Sequence, residues 1–108
     1  MNMQEFKANS KDAADLLKAL SNRYRLMILC ELSGGERSVS ALEAVVSLSQ
    51  SALSQHLAKL REGGLVTTRR EAQTIYYSLS DKRVRRIIDL LHELFCAPGK
   101  PQTNRKSK

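Results

Sequence analysis

The chain has 108 residues, a length that suits one domain and is too short for two ordinary ones. Charged residues make up 27% and hydrophobic residues 42% of the sequence, a balance typical of globular proteins that argues against a disordered or fibrous chain. The longest apolar run, Leu26 to Cys30, is too short to span a membrane. The first residues lack the pattern of a signal peptide, so we expect a cytoplasmic protein.

The net charge of +7 lies in the second half of the chain. Residues 1–48 carry six basic and six acidic side chains, whereas residues 49–108 carry twelve basic and five acidic ones (12 − 5 = +7). Because Lys and Arg displace counterions from phosphates, such an asymmetry is typical of a polyanion-binding region. A solvated basic surface with a disordered tail explains the charge equally well, so composition leaves both interpretations open.

Apolar residues at helical spacing predict four helices in the first part of the chain. The first helix is predicted to start near Ser10, and the second to be capped by Ser21 or Asn22. The third follows Ser38 and the fourth follows Ser49, and glycine pairs end the second and the fourth. The apolar positions of the four helices are Ala13, Leu16, Leu17, Leu20; Leu26, Leu29, Cys30, Leu32; Val39, Leu42, Val45, Val46; and Leu53, Leu57, Leu60.

The pattern then changes to that of strands. Residues 65–70 and 74–79 are rich in β-branched and aromatic side chains around Glu71-Ala72-Gln73, which predicts a β-hairpin. Ser80 or Asp81 then caps a last helix that Pro98-Gly99 ends. Its apolar stripe comprises Val84, Ile87, Ile88, Leu91, Leu94 and Phe95. The predicted organisation is a flexible N-terminus (1–9), one folded domain (10–97) and a disordered basic tail (98–108).

This order, α-α-α-α-β-β-α, predicts a mainly α winged helix-turn-helix with a β-hairpin wing. In such a domain the second helix of the helix-turn-helix enters the major groove of duplex DNA, and the wing contacts the flanking backbone or minor groove. The fourth predicted helix suits this role because its polar face carries hydrogen-bonding groups and no acid before Glu62. An ordinary solvated face is the alternative. The candidate DNA-binding residues are Ser49, Gln50, Ser51, Ser54, Gln55, His56 and Lys59 on the helix and Arg69, Arg70, Gln73 and Thr74 on the wing.

The chain resembles the ArsR/SmtB family of dimeric winged-helix regulators over residues 10–97. The resemblance is carried by LSNRYRLMILCEL and by ERSVSALEAVVSLSQSALSQHLAKLREGGLVTTRREAQTIYYSL. Within the second segment, SQSALSQHLAKLREGGLV matches the recognition helix of the family and its exit to the wing. The resemblance implies a transcription regulator that binds operator DNA as a homodimer through its first and last helices.

The metal sites of that family are not matched in this sequence. The cysteine pattern of the third helix reads Ser38-Val39-Ser40 here, and hydroxyl groups are poor ligands for soft metals. The zinc pair at the start of the last helix reads Asp81-Lys82-Arg83, and the far-end positions are Leu94 and Ala97. We therefore expect no metal and no other cofactor.

Two cysteines remain: Cys30, late in the second helix, and Cys96, at the end of the last one. Their contexts, LMILC and HELFC, resemble the sulfide- and redox-responsive HlyU, BigR and SqrR branch of the family, and the HlyU type most. This resemblance implies that reactive sulfur species or oxidants are the effectors. They would join the two thiols of one subunit through a disulfide or a bridge of several sulfur atoms.

Other readings of these residues stay open at this point. Cys30 suits a buried packing residue, and His92 with Cys96 is spaced for a metal-responsive regulator that uses Cys and His ligands. A DNA-binding activator or anti-silencer without ligand sensing is a third possibility. An enzyme is not expected, because the sequence lacks a CxxC motif, a Gly-rich phosphate loop and paired carboxylates. Nor do its few aromatic residues suit the base stacking of RNA readers.

Overall fold

In the computed structural model, which describes residues 2–96, five helices and three strands follow one another in the predicted order, with one short strand added. The elements are α1 (Met3–Leu20), α2 (Arg23–Leu32), β1 (Arg37–Ser38), α3 (Val39–Val46), α4 (Gln50–Glu62), β2 (Val66–Glu71), β3 (Thr74–Leu79) and α5 (Lys82–Phe95). The predicted winged helix-turn-helix is confirmed. The predicted tail at 98–108 lies outside the described residues.

Side-chain caps determine where most of these helices begin. Ser38 and Ser49 each accept a hydrogen bond from a backbone N–H of the following turn, at 3.1 Å, and they cap α3 and α4 as predicted. Of the paired candidates, Asn22 caps α2 and Asp81 caps α5. Short polar side chains that satisfy unpaired helical N–H groups are therefore the most reliable boundary signals in this chain.

The prediction that the first helix starts near Ser10 was wrong. α1 begins at Met3, because the Asn2 side chain accepts hydrogen bonds from two N–H groups of the first turn, at 2.9 and 3.3 Å. Residues 1–9, predicted to be flexible, are thus helical from Met3 onward. The side chains of this first stretch are exposed, so no apolar periodicity marked the helix before Ala13.

The wing is the antiparallel hairpin of β2 and β3. Glu71 lies opposite Thr74, which leaves Ala72-Gln73 as a two-residue turn, one residue shorter than predicted. β1 pairs antiparallel with the other edge of β3, so the sheet order is β1-β3-β2. A strand of two residues has no periodicity to read in a sequence, yet it attaches the wing to the start of α3.

The turn of the wing provides a test of local backbone strain. Ala72 has a φ of 58°, in the left-handed region that costs a residue with a Cβ about 1–2 kcal/mol. We expect Ala72→Gly to raise the free energy of unfolding by about 0.5–1 kcal/mol, because glycine adopts this conformation without steric cost.

Urea unfolding should show a higher midpoint for Ala72→Gly with an unchanged slope. The control is Ala14→Gly, on an exposed position inside α1, which should lower stability by about 1 kcal/mol. A midpoint for Ala72→Gly at or below that of the wild type would contradict the prediction.

A single core holds the helix-turn-helix, the base of the wing and α5 together. Its buried residues are Leu20, Ile28, Leu29, Leu32, Leu42, Val46, Leu53, Leu57, Leu60, Leu65, Val66, Val84 and Ile88. α4 contributes one buried stripe to this core and turns its opposite face outward. No helix within residues 2–96 is both long and apolar enough to cross a membrane.

Candidate nucleic-acid interface and thiol cleft

The outward face of α4 is polar and lacks acids in its first turn. Gln50, Ser51, Ser54, Gln55 and Lys59 are all exposed there, as the sequence predicted. The unpaired N–H groups of a helix N-terminus attract anions. The start of α4 therefore combines a favourable backbone dipole with side chains that donate and accept hydrogen bonds.

A groove of about 690 Å3 lies between this face and the wing. Gln50 and Ser54 line it from α4, and Gln73 and Thr74 line it from the tip of the hairpin. The structure thus brings together predicted DNA-binding residues from two separate segments. Arg61 lines the groove as well, and sequence reasoning missed it because it stands in the last turn of α4.

His56 differs from its neighbours on α4, because it is half-buried against α2. Its ring centroid lies 5.9 Å from that of Tyr24, and its Nδ1 lies 3.4 Å from Nη1 of Arg25. Burial, together with the positive charges of Arg25 and Lys59, holds the pKa of His56 below its ordinary value of 6.5. The sequence contains a sign of this orientation, because His56 follows Leu53 by three residues and Leu53 belongs to the buried stripe of α4.

A pH dependence of stability follows from this environment. Since folding lowers the pKa of His56, the protonated ring favours the unfolded chain. As far as His56 is concerned, the free energy of unfolding is therefore highest above the unfolded pKa of about 6.5. It decreases as the pH falls below that value, because the unfolded chain then binds the proton first. We expect the free energy of unfolding to decrease between pH 7.5 and pH 5.5 by more in the wild type than in His56→Gln. Equal decreases in the two proteins, measured by urea unfolding, would contradict this assignment.

The two wing arginines have different surroundings. Arg69 donates through Nε and Nη2 to the two carboxylate oxygens of Glu36, at 3.0 and 2.8 Å, and through Nη1 to Glu71 at 2.9 Å. Its guanidinium carbon also lies 4.6 Å from the centre of the Tyr76 ring. The hydrogen bonds to both carboxylates raise the pKa of Arg69, and its guanidinium lowers the pKa of Glu36. Arg70 is exposed, and within residues 2–96 it forms no ion pair.

A second cleft, of about 320 Å3, lies between α2 and α5. Cys30 and Cys96 both line it; Cys30 is exposed and Cys96 is half-buried. The remaining lining residues are Leu26, Met27, Ile88, Leu91, His92 and Phe95. The structure therefore brings the two predicted thiols to one mostly apolar cleft, and the alternative that Cys30 is a buried packing residue is wrong for this chain.

The positions that match the metal sites of the resembled family serve other purposes here. Ser38 caps α3, and the carboxylate of Asp81 accepts hydrogen bonds from the Arg83 guanidinium at 2.7 and 3.1 Å. That ion pair holds the pKa of Asp81 below its ordinary value. In the part of the chain that the structure describes, no three His, Cys, Asp or Glu side chains are placed to hold a metal ion.

Comparison with known proteins places this chain among transcription regulators. Residues 22–68 match the family described as bacterial regulatory protein, arsR family. The transcriptional activator HlyU of Vibrio cholerae is 56% identical over 96 residues, which cover 89% of each chain. The structure of reduced HlyU from the same organism matches with a TM-score of 0.83 and 55% identity, over 87% of this chain and 99% of that one.

Two further solved structures share the fold. The transcriptional repressor BigR from Xylella fastidiosa is 39% identical with a TM-score of 0.84, over 90% of this chain and 99% of that one. The homodimeric winged helix-turn-helix DNA-binding domain of Mb0332 from Mycobacterium bovis is 33% identical with a TM-score of 0.72, over 87% and 86% of the two chains. The identity to these proteins extends well beyond the helix-turn-helix.

Proposed function

Since the chain belongs to the arsR family of bacterial regulatory proteins, we propose that it is a homodimeric transcription regulator whose affinity for operator DNA is controlled by thiol chemistry at Cys30 and Cys96. Its relatives HlyU and BigR are named a transcriptional activator and a transcriptional repressor, and neither name is that of an enzyme. The observation that carries the thiol half of the proposal is the single cleft that both cysteines line.

The groove between α4 and the wing supports duplex DNA as the partner. The major groove of B-DNA is about 12 Å wide and admits one α-helix, so α4 can enter it while the wing tip reaches the flanking backbone. Glutamine pairs with adenine through two hydrogen bonds, and lysine and arginine contact phosphates. The residues proposed to face DNA are Ser49, Gln50, Ser51, Ser54, Gln55 and Lys59 of α4 and Arg70, Gln73 and Thr74 of the wing.

Two substitutions separate base reading from phosphate contact. The probe is a duplex that the reduced protein selects from a random-sequence pool. We expect Gln55→Ala to relax sequence preference, and Arg70→Ala to weaken binding to all duplexes and to lower the slope of log affinity on log salt by about 1. Lys7→Ala removes the same charge from the exposed start of α1 and should change neither property. An unchanged salt slope in Arg70→Ala would contradict the placement of Arg70 on DNA.

The position of the thiol cleft explains how chemistry there can reach DNA. α2 packs against both α4 and α5, and His56 of α4 rests on Tyr24 of α2. A covalent link between Cys30 and Cys96 would join α2 to the end of α5, the helix that we propose forms the subunit interface. Such a link can therefore alter the spacing of the two recognition helices in the dimer.

A low-molecular-weight persulfide, R–S–SH, can supply the sulfur and the oxidising equivalents. One protein thiolate attacks the outer sulfur, the S–S bond breaks, and RS⁻ leaves, so that the protein carries Cys–S–SH. The second thiolate then attacks the inner sulfur, Sγ of the first cysteine, so that the bond to the outer sulfur breaks, HS⁻ leaves and a disulfide remains. The two protein thiols are oxidised, and the persulfide is reduced to a thiol and hydrosulfide.

Thiol control is tested by measuring the affinity for the selected duplex before and after treatment with glutathione persulfide. We expect a loss in the range of about 5- to 150-fold, the usual size of allosteric coupling. An unchanged affinity would overturn thiol control and leave the DNA-binding half of the proposal standing.

A further inference from the structure

We propose that Arg69 is a positioning residue, which holds the wing against the helix-turn-helix through Glu36, and that it is not a phosphate contact. The proposal rests on the DNA-binding function proposed above. It separates two adjacent arginines that look equivalent in the sequence.

The geometry of the Glu36–Arg69 pair fixes the orientation of both side chains in addition to holding them together. Two donors of the guanidinium meet the two oxygens of one carboxylate at 2.8 and 3.0 Å, which is the bidentate arrangement that fixes the plane of both groups. A third donor meets Glu71, and one face of the guanidinium lies over the ring of Tyr76. Three N–H donors and one face of the guanidinium are therefore engaged within the protein.

The pair joins parts of the fold that are far apart in the chain. Glu36 follows the turn that ends α2 and directly precedes β1 and α3, whereas Arg69 lies in β2 of the wing. The next residue, Arg37, donates to Glu31 of α2 at 3.0 Å. The short segment before α3 is therefore bonded on one side to α2 and on the other side to the wing. Apart from the two-residue pairing of β1 with β3, this is a direct polar tie between the wing and the helix-turn-helix.

The register of the hairpin places the two arginines on opposite faces. Arg70 is directly opposite Ile75, which lines the groove that faces α4. Arg69 is directly opposite Tyr76, and side chains of successive residues in a strand point to opposite faces. Arg70 thus shares the face of Ile75, which lines the groove, whereas Arg69 shares the face of Tyr76, from which Thr74, beside the turn, also reaches the groove.

The charges around Arg69 also argue against a phosphate contact. One guanidinium shared by Glu36 and Glu71 makes a group with a net charge of −1. Three of the five N–H donors of this guanidinium already bind carboxylates, and a phosphate that approaches the other two is repelled by both acids. Arg70 offers its charge without that competition.

The two roles predict opposite effects for the same substitution. Glu36→Ala removes a negative charge and releases Arg69, so a phosphate-contacting Arg69 would bind DNA more tightly. If Arg69 positions the wing, Glu36→Ala should instead weaken binding to the selected duplex by about threefold to fivefold, the range of a well-formed exposed ion pair. The matched control is Glu71→Ala, which removes the same charge from beside the same arginine but breaks no hydrogen bond between the wing and the segment before α3. It should leave affinity unchanged or raised.

The salt dependence gives a second readout. Arg69→Ala should lower affinity by the same factor as Glu36→Ala and keep the wild-type slope of log affinity on log salt, whereas Arg70→Ala lowers that slope by about 1. Tighter binding by Glu36→Ala, or a reduced slope in Arg69→Ala, would overturn the positioning role. Circular dichroism of each variant verifies that it is folded. A wild-type protein that binds no duplex would refute the proposed function itself, which is a different outcome from either of these.

Discussion

Cys30→Ser and Cys96→Ser are each expected to bind operator DNA as tightly as the reduced wild type and to keep that affinity after persulfide treatment. The wild type should lose about 5- to 150-fold under the same treatment. Both thiols are needed because a bridge has two ends, and the two side chains line one cleft between α2 and α5. Serine matches the size of cysteine closely, so the helices should pack as before.

Mass spectrometry distinguishes the bridge from simpler modifications. The treated wild type should contain a link between two cysteines of one subunit that a reductant removes, whereas each single variant lacks the second thiol and can carry an open modification such as a persulfide or a sulfenic acid. If a single variant still releases DNA on treatment, the bridge is not the switch, and modification of one cysteine takes its place.

His92 provides a matched control inside the same cleft. It lines the cleft with both cysteines, so a regulator that used Cys and His ligands for a metal would depend on it. The thiol mechanism does not use the imidazole. We therefore expect His92→Gln to lose DNA affinity on persulfide treatment as the wild type does.

The helix-turn-helix could be predicted from the sequence because its boundaries are chemically marked. Ser38 and Ser49 cap the two helices, and the pair Gly63-Gly64 ends the second, with Gly64 at a φ of +76°. β1 could not be predicted, because two residues form a strand only when β3 lies beside them. The start of α1 was missed since an exposed first turn depends on a cap at Asn2 and not on periodicity.

The sequence predicted which residues make up the candidate DNA-binding site, but it did not predict how their side chains are oriented. The polar face of α4 follows from its helical spacing, but the difference between Arg69 and Arg70 depends on a carboxylate 33 positions earlier in the chain. No local pattern contains that information. The meeting of Cys30 and Cys96 likewise depends on how α2 and α5 pack, and in the sequence only the family resemblance indicated it.

Replacement of exposed leucines on α5 is expected to abolish tight operator binding by separating the subunits. Leu90 and Leu94 are 51% and 63% exposed and one helical turn apart, and Phe95 beside them is 76% exposed. α1 adds Leu17, which is 60% exposed. Large apolar side chains that are exposed on both the first and the last helix are typical of an interaction surface, and a second copy of the chain is the partner that the proposed function requires.

The expected size of the effect comes from the geometry of two half-sites. A dimer places two recognition helices in successive major grooves, about 34–36 Å apart, so that binding of the second half-site becomes intramolecular. That arrangement typically raises affinity by about 10²- to 10⁴-fold over one site. We therefore expect the double variant Leu90→Asp/Leu94→Asp to lose at least about 100-fold in affinity for a duplex with two half-sites.

Sedimentation and a half-site comparison together test this explanation. The wild type should sediment as a dimer at micromolar concentration and the double variant as a monomer, while both should bind a duplex with one half-site with similar, weak affinity. Val45→Asp places one aspartate on an exposed apolar position of α3, away from the proposed interface, and should leave the dimer intact. A double variant that stays dimeric would show that the subunits meet elsewhere. A monomeric variant that retains full affinity for the two-half-site duplex would show that DNA binding does not depend on dimerisation.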